Sequence, residues 1–454
     1  MKLFPALTLS AALLCSACAA LPELDGKPVT AQRLADFQLA SAPVWTMDFG
    51  DGGLRRMLAE ADAAGLDAAS ARARFRAADL ALDQARADRG LGHSADGSAE
   101  RTSLALNASL RFEPDLAGKF EAALRAAMLE HSASGLDLLI ARRTLAREVT
   151  QGWVALAEAR TEAARASGDI AAEERSLSLL RLRRAAGEIT GTDIAAREQA
   201  LVRARADAAG ASGRTALAEA RLRALGVRTI PPAIALKGAA RPKVPARTDL
   251  AATQAVPGVY AAWLRFHAAD ASRADASRAE ALAASRPRLV VTSSIAATAR
   301  TLAGLVAGNG AAVTNAVRLE GAILDNGAAR RNLDKARLSV AQAEIDWLRA
   351  RNQSEIAALE AVTARQTAEA GLDAALSGWK NASADLARVR ARQVAGEADA
   401  LELAEAERAV ATAQRDIDRA RAEAFRAAAA LNDALPPPVA GCAAAAGAPT
   451  APAI

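Results

Sequence analysis

Gly187-Glu188-Ile189-Thr190-Gly191-Thr192-Asp193 and Gly396-Glu397-Ala398-Asp399-Ala400-Leu401-Glu402 are the two stretches on which the fold turns. Each interrupts a long run of alanine, leucine, arginine and glutamate. Each then resumes on one schedule: Glu198 to Asp207 after the first, Glu407 to Asp416 after the second, always 209 positions apart. Upstream, Asp115-Leu116-Ala117-Gly118 is echoed by Asp325-Asn326-Gly327, and each of these glycines precedes its turn glycine by 69 positions. Earlier still, Phe75-Arg76-Ala77-Ala78-Asp79 is echoed by Phe266-His267-Ala268-Ala269-Asp270 at an offset of 191, so the second copy carries 18 extra residues before its Asp/Gly element. Ordered echoes at so long a period mark a duplicated structural unit.

Each unit reads as helix, two extended segments, very long helix, short turn, helix. In the first unit these are Gly53–Arg89, Leu91–Asp115, Gly118–Ala186 and Thr192–Leu225; in the second, Val259–Ser285, Pro287–Asp325, Gly327–Ala395 and Ala400–Leu435. The chain therefore divides into a first repeat over 53–226 with its hairpin at about 90–116, a Pro-rich linker over 227–257, and a second repeat over 258–435 with its hairpin at about 287–325. An N-terminal extension occupies 18–52, and a Pro/Ala-rich tail over 436–454 is expected to be disordered. The long helices should each run about 100 Å at 1.5 Å per residue. Their apolar stripes are narrow, as in Leu145, Val149, Trp153 and Leu156, or Ile356, Leu359 and Val362. Such stripes call for partner helices in the manner of coiled coils.

The extended segments alternate. Leu104, Leu106, Ala108, Leu110 and Phe112 fall on one side, Ser103, Ala105, Asn107, Ser109 and Arg111 on the other. Leu289–Ile295 and Val313–Ile323 behave alike, with a Gly/Ala loop over Arg300–Ala312 between them. Segment Leu91–Ala99 is the weakest strand, since Gly92, Asp96 and Gly97 disfavour one, and His93 reads as a loop residue. Runs of about 9–11 residues are long enough to cross a bilayer as tilted barrel strands. Four strands cannot close a barrel, and an open edge in lipid leaves backbone groups unpaired at several kcal/mol each. Strands in a membrane would thus require several chains to share one barrel.

Composition excludes much else. Among 454 residues, 52% are apolar but only 3% aromatic, which suits alanine-rich helices packed side by side. Three His and three Cys supply neither a metal site nor a disulfide framework. No nucleophile, metal or phosphate-binding motif points to an enzyme, and no cofactor is implied. The net charge of +5 arises from 57 basic residues interleaved with 52 acidic ones, the pattern of solvated helix faces, and nucleic acid is not indicated. Residues 1–17 read as a signal peptide: Lys2, the short apolar run Leu3–Leu14, then Ser16-Ala17 before Cys18. The stretch resembles a bacterial lipoprotein signal, with Cys18 the residue to be lipidated and Ala19 favouring the outer membrane. Cys442 lies in the tail and reads as an unpaired thiol.

The two ordered copies, together with Pro43-Val44-Trp45, Phe49, Asp51 and Leu54, Asp67–Asp79, Phe112–Gly118, Ile323–Gly327 and the turns at Gly187 and Gly396, resemble the TolC-like outer-membrane factors of tripartite efflux pumps. The match is to their lipoprotein branch, which works with resistance-nodulation-division transporters. The resemblance implies a mainly α homotrimer with a small transmembrane β-barrel of four strands per chain, and coiled-coil helices joined into an α-barrel. It implies an outer-membrane location with a lipid anchor, extension into the periplasm, and tips at Gly187 and Gly396 that meet a periplasmic adaptor and an inner-membrane transporter. It assigns the periplasmic gate to Glu402 and Glu405, with Asp193 the matching first-unit acid; Ala196 and Ala398 depart from the family pattern. Without any family, the same acids would simply favour helix N-termini. The function implied is a passive exit duct for drugs, metals or metabolites. The alternative is a non-conducting coiled-coil structural lipoprotein, which leaves both hairpins without purpose. A periplasmic adaptor would carry one helical hairpin between β-domains rather than two matched units. Trp153, Trp263, Trp347 and Trp379 read as packing residues, and His131 and His267 as isolated helix-surface or interface residues.

Overall fold

The computed structural model describes residues 49–88, 91–100, 103–112, 118–187, 191–234, 236, 256–283, 288–301, 311–320, 327–398 and 400–435. They form α1 (Gly52–Ala64), α2 (Leu66–Ala87), β1 (Leu91–Glu100), β2 (Ser103–Phe112), α3 (Lys119–Ala185), α4 (Gly191–Ala224), α5 (Pro257–Ala283), β3 (Arg288–Ala299), β4 (Ala311–Glu320), α6 (Ala328–Val394) and α7 (Ala400–Ala434). Cys18, the tail with Cys442, most of the linker and the strand-to-helix segments at 113–117 and 321–326 lie outside the described residues.

Local chemistry sets the boundaries. Asp51 caps α1, its carboxylate accepting the Leu54 N–H at 2.7 Å. One helix is expected over Gly53–Arg89, but the structure breaks it at Gly65, whose backbone is extended. The break is a packing requirement. A Cβ at Gly65 would lie 2.6 Å from the Ala61 carbonyl and 2.7 Å from the Leu145 side chain, and one at Gly226 would lie 2.9 Å from the Gly65 nitrogen. Two backbones thus touch where no side chain fits. Helices α3 and α6 both have 67 residues, and each is preceded by a glycine in the left-handed region, Gly118 and Gly327.

The strands form one antiparallel sheet in the order β1-β2-β3-β4. Strand β1 is regular despite its glycines. Pairing from Leu91↔Phe112 to Glu100↔Ser103 gives it a full ladder against β2, which outweighs its poor intrinsic propensity. His93 is therefore a strand residue opposite Leu110, not a loop residue.

Helix α3 packs on α1, α2, α4, α5 and α7, while α6 packs on α5 and α7. The neighbours run α2-α3-α5-α6 in the half nearer the sheet and α4-α3-α7-α6 in the half nearer the turns. The main core sits where α1 covers α3: Leu54, Met57, Val149, Trp153, Leu156 and Leu222 are buried there. Phe49 stacks on Trp153 at 6.0 Å and meets Phe425 edge-on at 4.7 Å. The stripe Leu145, Val149, Trp153 and Leu156 is buried, whereas Ile356 and Leu359 of α6 are 56% and 55% exposed. That second stripe is therefore covered less by its own chain than the first.

Ion pairs hold the helices where alanine leaves little apolar area. Arg160–Glu219, Arg214–Glu162 and Arg205–Glu174 link α3 to α4 at 2.9, 2.7 and 3.0 Å. Arg415–Asp169 and Arg426–Glu158 link α7 to α3. Two arginines among the described residues are buried. Arg143 donates to the Asn432 carbonyl at the end of α7, and burial lowers its pKa despite nearby Asp433. Arg365, 1% exposed, donates to the Ala424 carbonyl at 2.6 Å.

Candidate functional site: an apolar sheet face and two clasped turns

Opposed residues of an antiparallel pair share a face. The register puts Leu106, Leu110 and Phe112 of β2 with Val291, Ile295 and Ala297 of β3, and these with Val313 and Val317 of β4. The opposite face carries Asn107, Ser109 and Arg111, then Thr292, Ser294 and Thr298, then Thr314. Large residues of this face are exposed, Leu106 and Leu110 at 47%, Ile295 at 50%, Val313 at 65% and Val317 at 69%, while Ala297 is buried and Ser293 and Asn315 lie beside Leu110. So many exposed leucine, isoleucine and valine side chains on one face are unusual on a protein surrounded by water. The strands have 10, 10, 12 and 10 residues, long enough for a bilayer core. The outer edges of β1 and β4 have no strand partner among the described residues. No described helix is long and apolar enough to cross a membrane.

At the opposite ends of the long helices stand the two turns. Gly187 and Gly396 both have φ +77°, which a glycine adopts without strain. The second turn closes as a Schellman motif: Glu397 N–H reaches the Arg392 carbonyl at 2.8 Å and Gly396 N–H the Gln393 carbonyl at 3.0 Å. Glu188, Ile189, Thr190 and Asp399 lie outside the described residues.

Each turn is also clasped by ion pairs. Arg181 reaches Glu198 at 3.0 Å across the first turn, and Arg390 reaches Glu407 at 2.9 Å across the second. Both members of the second pair stand 209 positions after those of the first. Arg392 adds a second strap, bonding Glu402 at 2.5 Å and the Glu397 carbonyl at 3.2 Å. The sequence treats Glu402 and Glu405 alike; the structure separates them. Glu402 is balanced by Arg392, whereas Glu405 is exposed and makes no ion pair among the described residues. Asp193 is exposed in the first turn of α4. The arginines of these clasps escaped the sequence reading, although their recurrence at 209 positions was the available signal.

Elsewhere, Trp153 is fully buried, Trp263 stacks on Tyr260 at 5.4 Å, Trp347 lies 6.1 Å from Phe266, and Trp379 is 39% exposed. The helical histidines are not isolated. His131 packs on Phe75 at 4.9 Å with Asp79 at 3.7 Å, and His267 packs on Trp263 at 4.3 Å. Burial holds the His267 imidazole below its usual pKa against the pull of Asp270. No group of His, Cys, Asp and Glu among the described residues could hold a metal ion.

No protein-family model matches the chain, and no curated protein matches it. Solved structures do. CusC, described for its folding and transmembrane channel formation, shares 19% identity over 88% of this chain and 95% of its own, with a TM-score of 0.73. The outer membrane protein VceC of Vibrio cholerae shares 21% over 86% and 98%, with a TM-score of 0.68. The open outer membrane channel MtrE of Neisseria gonorrhoeae shares 20% over 84% and 88%, with a TM-score of 0.71. The chain has the fold of the TolC-like outer-membrane factors.

Proposed function

We propose that this chain is the outer-membrane subunit of a tripartite efflux system, a passive exit duct for drugs, metals or metabolites. One observation carries the reading: a sheet whose outer edges have no strand partner among the described residues and whose apolar face is largely exposed is followed, in each half of the chain, by a 67-residue helix. Four antiparallel strands per chain keep their alternation when β4 of one copy meets β1 of the next. Three copies then close a twelve-stranded barrel, its apolar face toward lipid and its Asn/Ser/Thr face toward water. The long helices join into an α-barrel below it.

In this reading, residues 53–226 and 258–435 are two copies of one unit, joined by a linker over 227–257. Residues 1–17 are a signal peptide, and Cys18 carries the lipid. The turns at Gly187 and Gly396 are the periplasmic tips that meet an adaptor and, through it, a resistance-nodulation-division transporter. Transport needs no catalytic group and no cofactor here, because energy and selection come from the transporter. Glu402, Glu405 and Asp193 set the charge of the periplasmic entrance. The Arg392 strap leaves Glu405 as the stronger cation-attracting position, since three uncompensated carboxylates on one ring would favour cations.

Planar-bilayer recording of the purified protein tests this. Discrete current steps are expected, with cation preference reduced by Glu405→Gln more than by Glu402→Gln. A correctly assembled trimer that never conducts, even with both glutamates replaced, would make the protein a tether rather than a duct. Replacing Cys18 by Ser should abolish lipid labelling of the mature chain; labelling that persists would place the anchor elsewhere.

A further inference from the structure

We propose that the helix layer nearer the sheet carries, on its concave face, a binding groove for an amphipathic organic cation. The proposal rests on the duct proposed above and names a place on its wall where cargo is held. A groove of about 730 Å³ runs across the layer and takes lining residues from all four of its helices, among them Ala78 of α2, Ala127 of α3, Ala269 of α5 and Ala343 of α6. Four helices lying side by side bound one groove only where their layer curves around it. In a closed ring of copies the concave side is the inside, so the groove opens into the bore. Its volume falls within the range of small-molecule sites, about 300–1,000 Å³.

The floor is apolar and small. Eight of the fourteen lining residues are alanine. Helix α5 keeps its bulk away from this face: at about 100° per residue, Ala262, Ala269 and Ser272 fall on one side of it, and Tyr260, Trp263 and His267 on the other. The rim is acidic. Its charged residues are Glu130, Arg265 and Asp346. Arg265 is already engaged by Asp137, outside the groove, and reaches Glu130 only at 3.4 Å. Asp346 accepts from Arg349 at 2.7 Å and from Gln342 at 3.1 Å, both on Oδ1. Oδ2 of Asp346 and Oε2 of Glu130 accept no hydrogen bond from a described residue. An apolar floor with free carboxylate oxygens at its rim suits a ligand with an apolar body and a positive centre. A hydrated inorganic ion gains nothing from alanine methyls. A neutral apolar molecule leaves the carboxylates desolvated and unpaired, and an anion meets like charge.

Rhodamine 6G, a flat aromatic cation, is the probe. Its fluorescence polarisation is read against the full-length protein in nanodiscs of zwitterionic lipid, with empty nanodiscs subtracted. Saturable binding is expected. Glu130→Gln with Asp346→Asn should weaken it about tenfold or more. Ser339→Phe and Ser272→Phe, which fill the groove from exposed positions without changing its charge, should weaken it as much. No saturable binding, binding unchanged by both kinds of variant, or displacement of the dye by magnesium at constant ionic strength would overturn the proposal. Weakening by the charge changes alone would mean attraction to the surface at large, and weakening by the fillings alone a ligand chosen without regard to charge; either also overturns it. Planar-bilayer recording keeps groove and duct apart. A protein that conducts but binds no dye loses the groove and keeps the duct, whereas one that binds dye and never conducts keeps the groove and loses the duct.

Discussion

At Gly396 the chain leaves α6 with φ +77°, and its amide and that of Glu397 close the helix end. Gly396→Ala would place a Cβ on that left-handed backbone at a cost of about 1 kcal/mol. Faster amide exchange is expected from Arg392 to Glu402, with the rest of the molecule unchanged; unaltered exchange there would contradict the strain. A second residue-scale prediction concerns Glu60. Its carboxylate accepts the Arg228 N–H at 2.7 Å and the Thr229 N–H at 2.8 Å. The Thr229 bond, then that of Arg228, hold it below the usual carboxylate range. A lowered folded-state pKa means this tie is at full strength above the ordinary carboxylate pKa and is lost as pH falls through the lowered value. The Arg228 and Thr229 amides should lose protection, after correction for intrinsic exchange, as pH drops below about 4. In Glu60→Ala, which has no acceptor, they should be weakly protected at every pH; equal protection in both proteins would remove Glu60 from the linker's attachment. Neither Glu60 nor the Arg392 strap is legible in sequence. Residue types at 392 and 402 are plain, but which carboxylate an arginine reaches depends on the turn between them.

The elements themselves are far more legible, for identifiable reasons. Gly118, Gly187, Gly327 and Gly396 punctuate the long helices within a residue or two of where they start and stop. Strand β1 is obscure because its order comes from the β2 ladder and not from Gly92, Asp96 or Gly97. The break at Gly65 is hidden because its cause is Gly226, far away in sequence. The buried arginines are hidden too, since a charged residue in an alanine-rich helix reads as a surface residue. Arg365 binds a backbone carbonyl of α7 and pairs with Glu369 inside the α6–α7 seam. Arg365→Ala should destabilise the protein by roughly 3 kcal/mol or more, because the carbonyl and carboxylate it serves lose their partner. Trp153→Ala should cost roughly 3–5 kcal/mol by emptying the core under α1. Denaturant midpoints report both; an Arg365→Ala protein as stable as the parent would show that this arginine is dispensable to the pairing.

For the whole molecule, the described fold leaves its needs unmet in one pattern. Among the described residues, the sheet's outer edges have no strand partner, its apolar face is largely exposed, and Ile356 and Leu359 are more than half exposed. Each of these would cost free energy in a lone chain in water, and the proposed ring of copies with its strands in lipid would relieve each. Alternation in Leu104–Phe112 makes the sheet's two faces readable from sequence, but the number of chains follows only from how few strands each supplies. Native mass spectrometry of the detergent-extracted protein measures that number directly. Three chains per particle is the predicted result; a particle containing one folded chain would contradict the account.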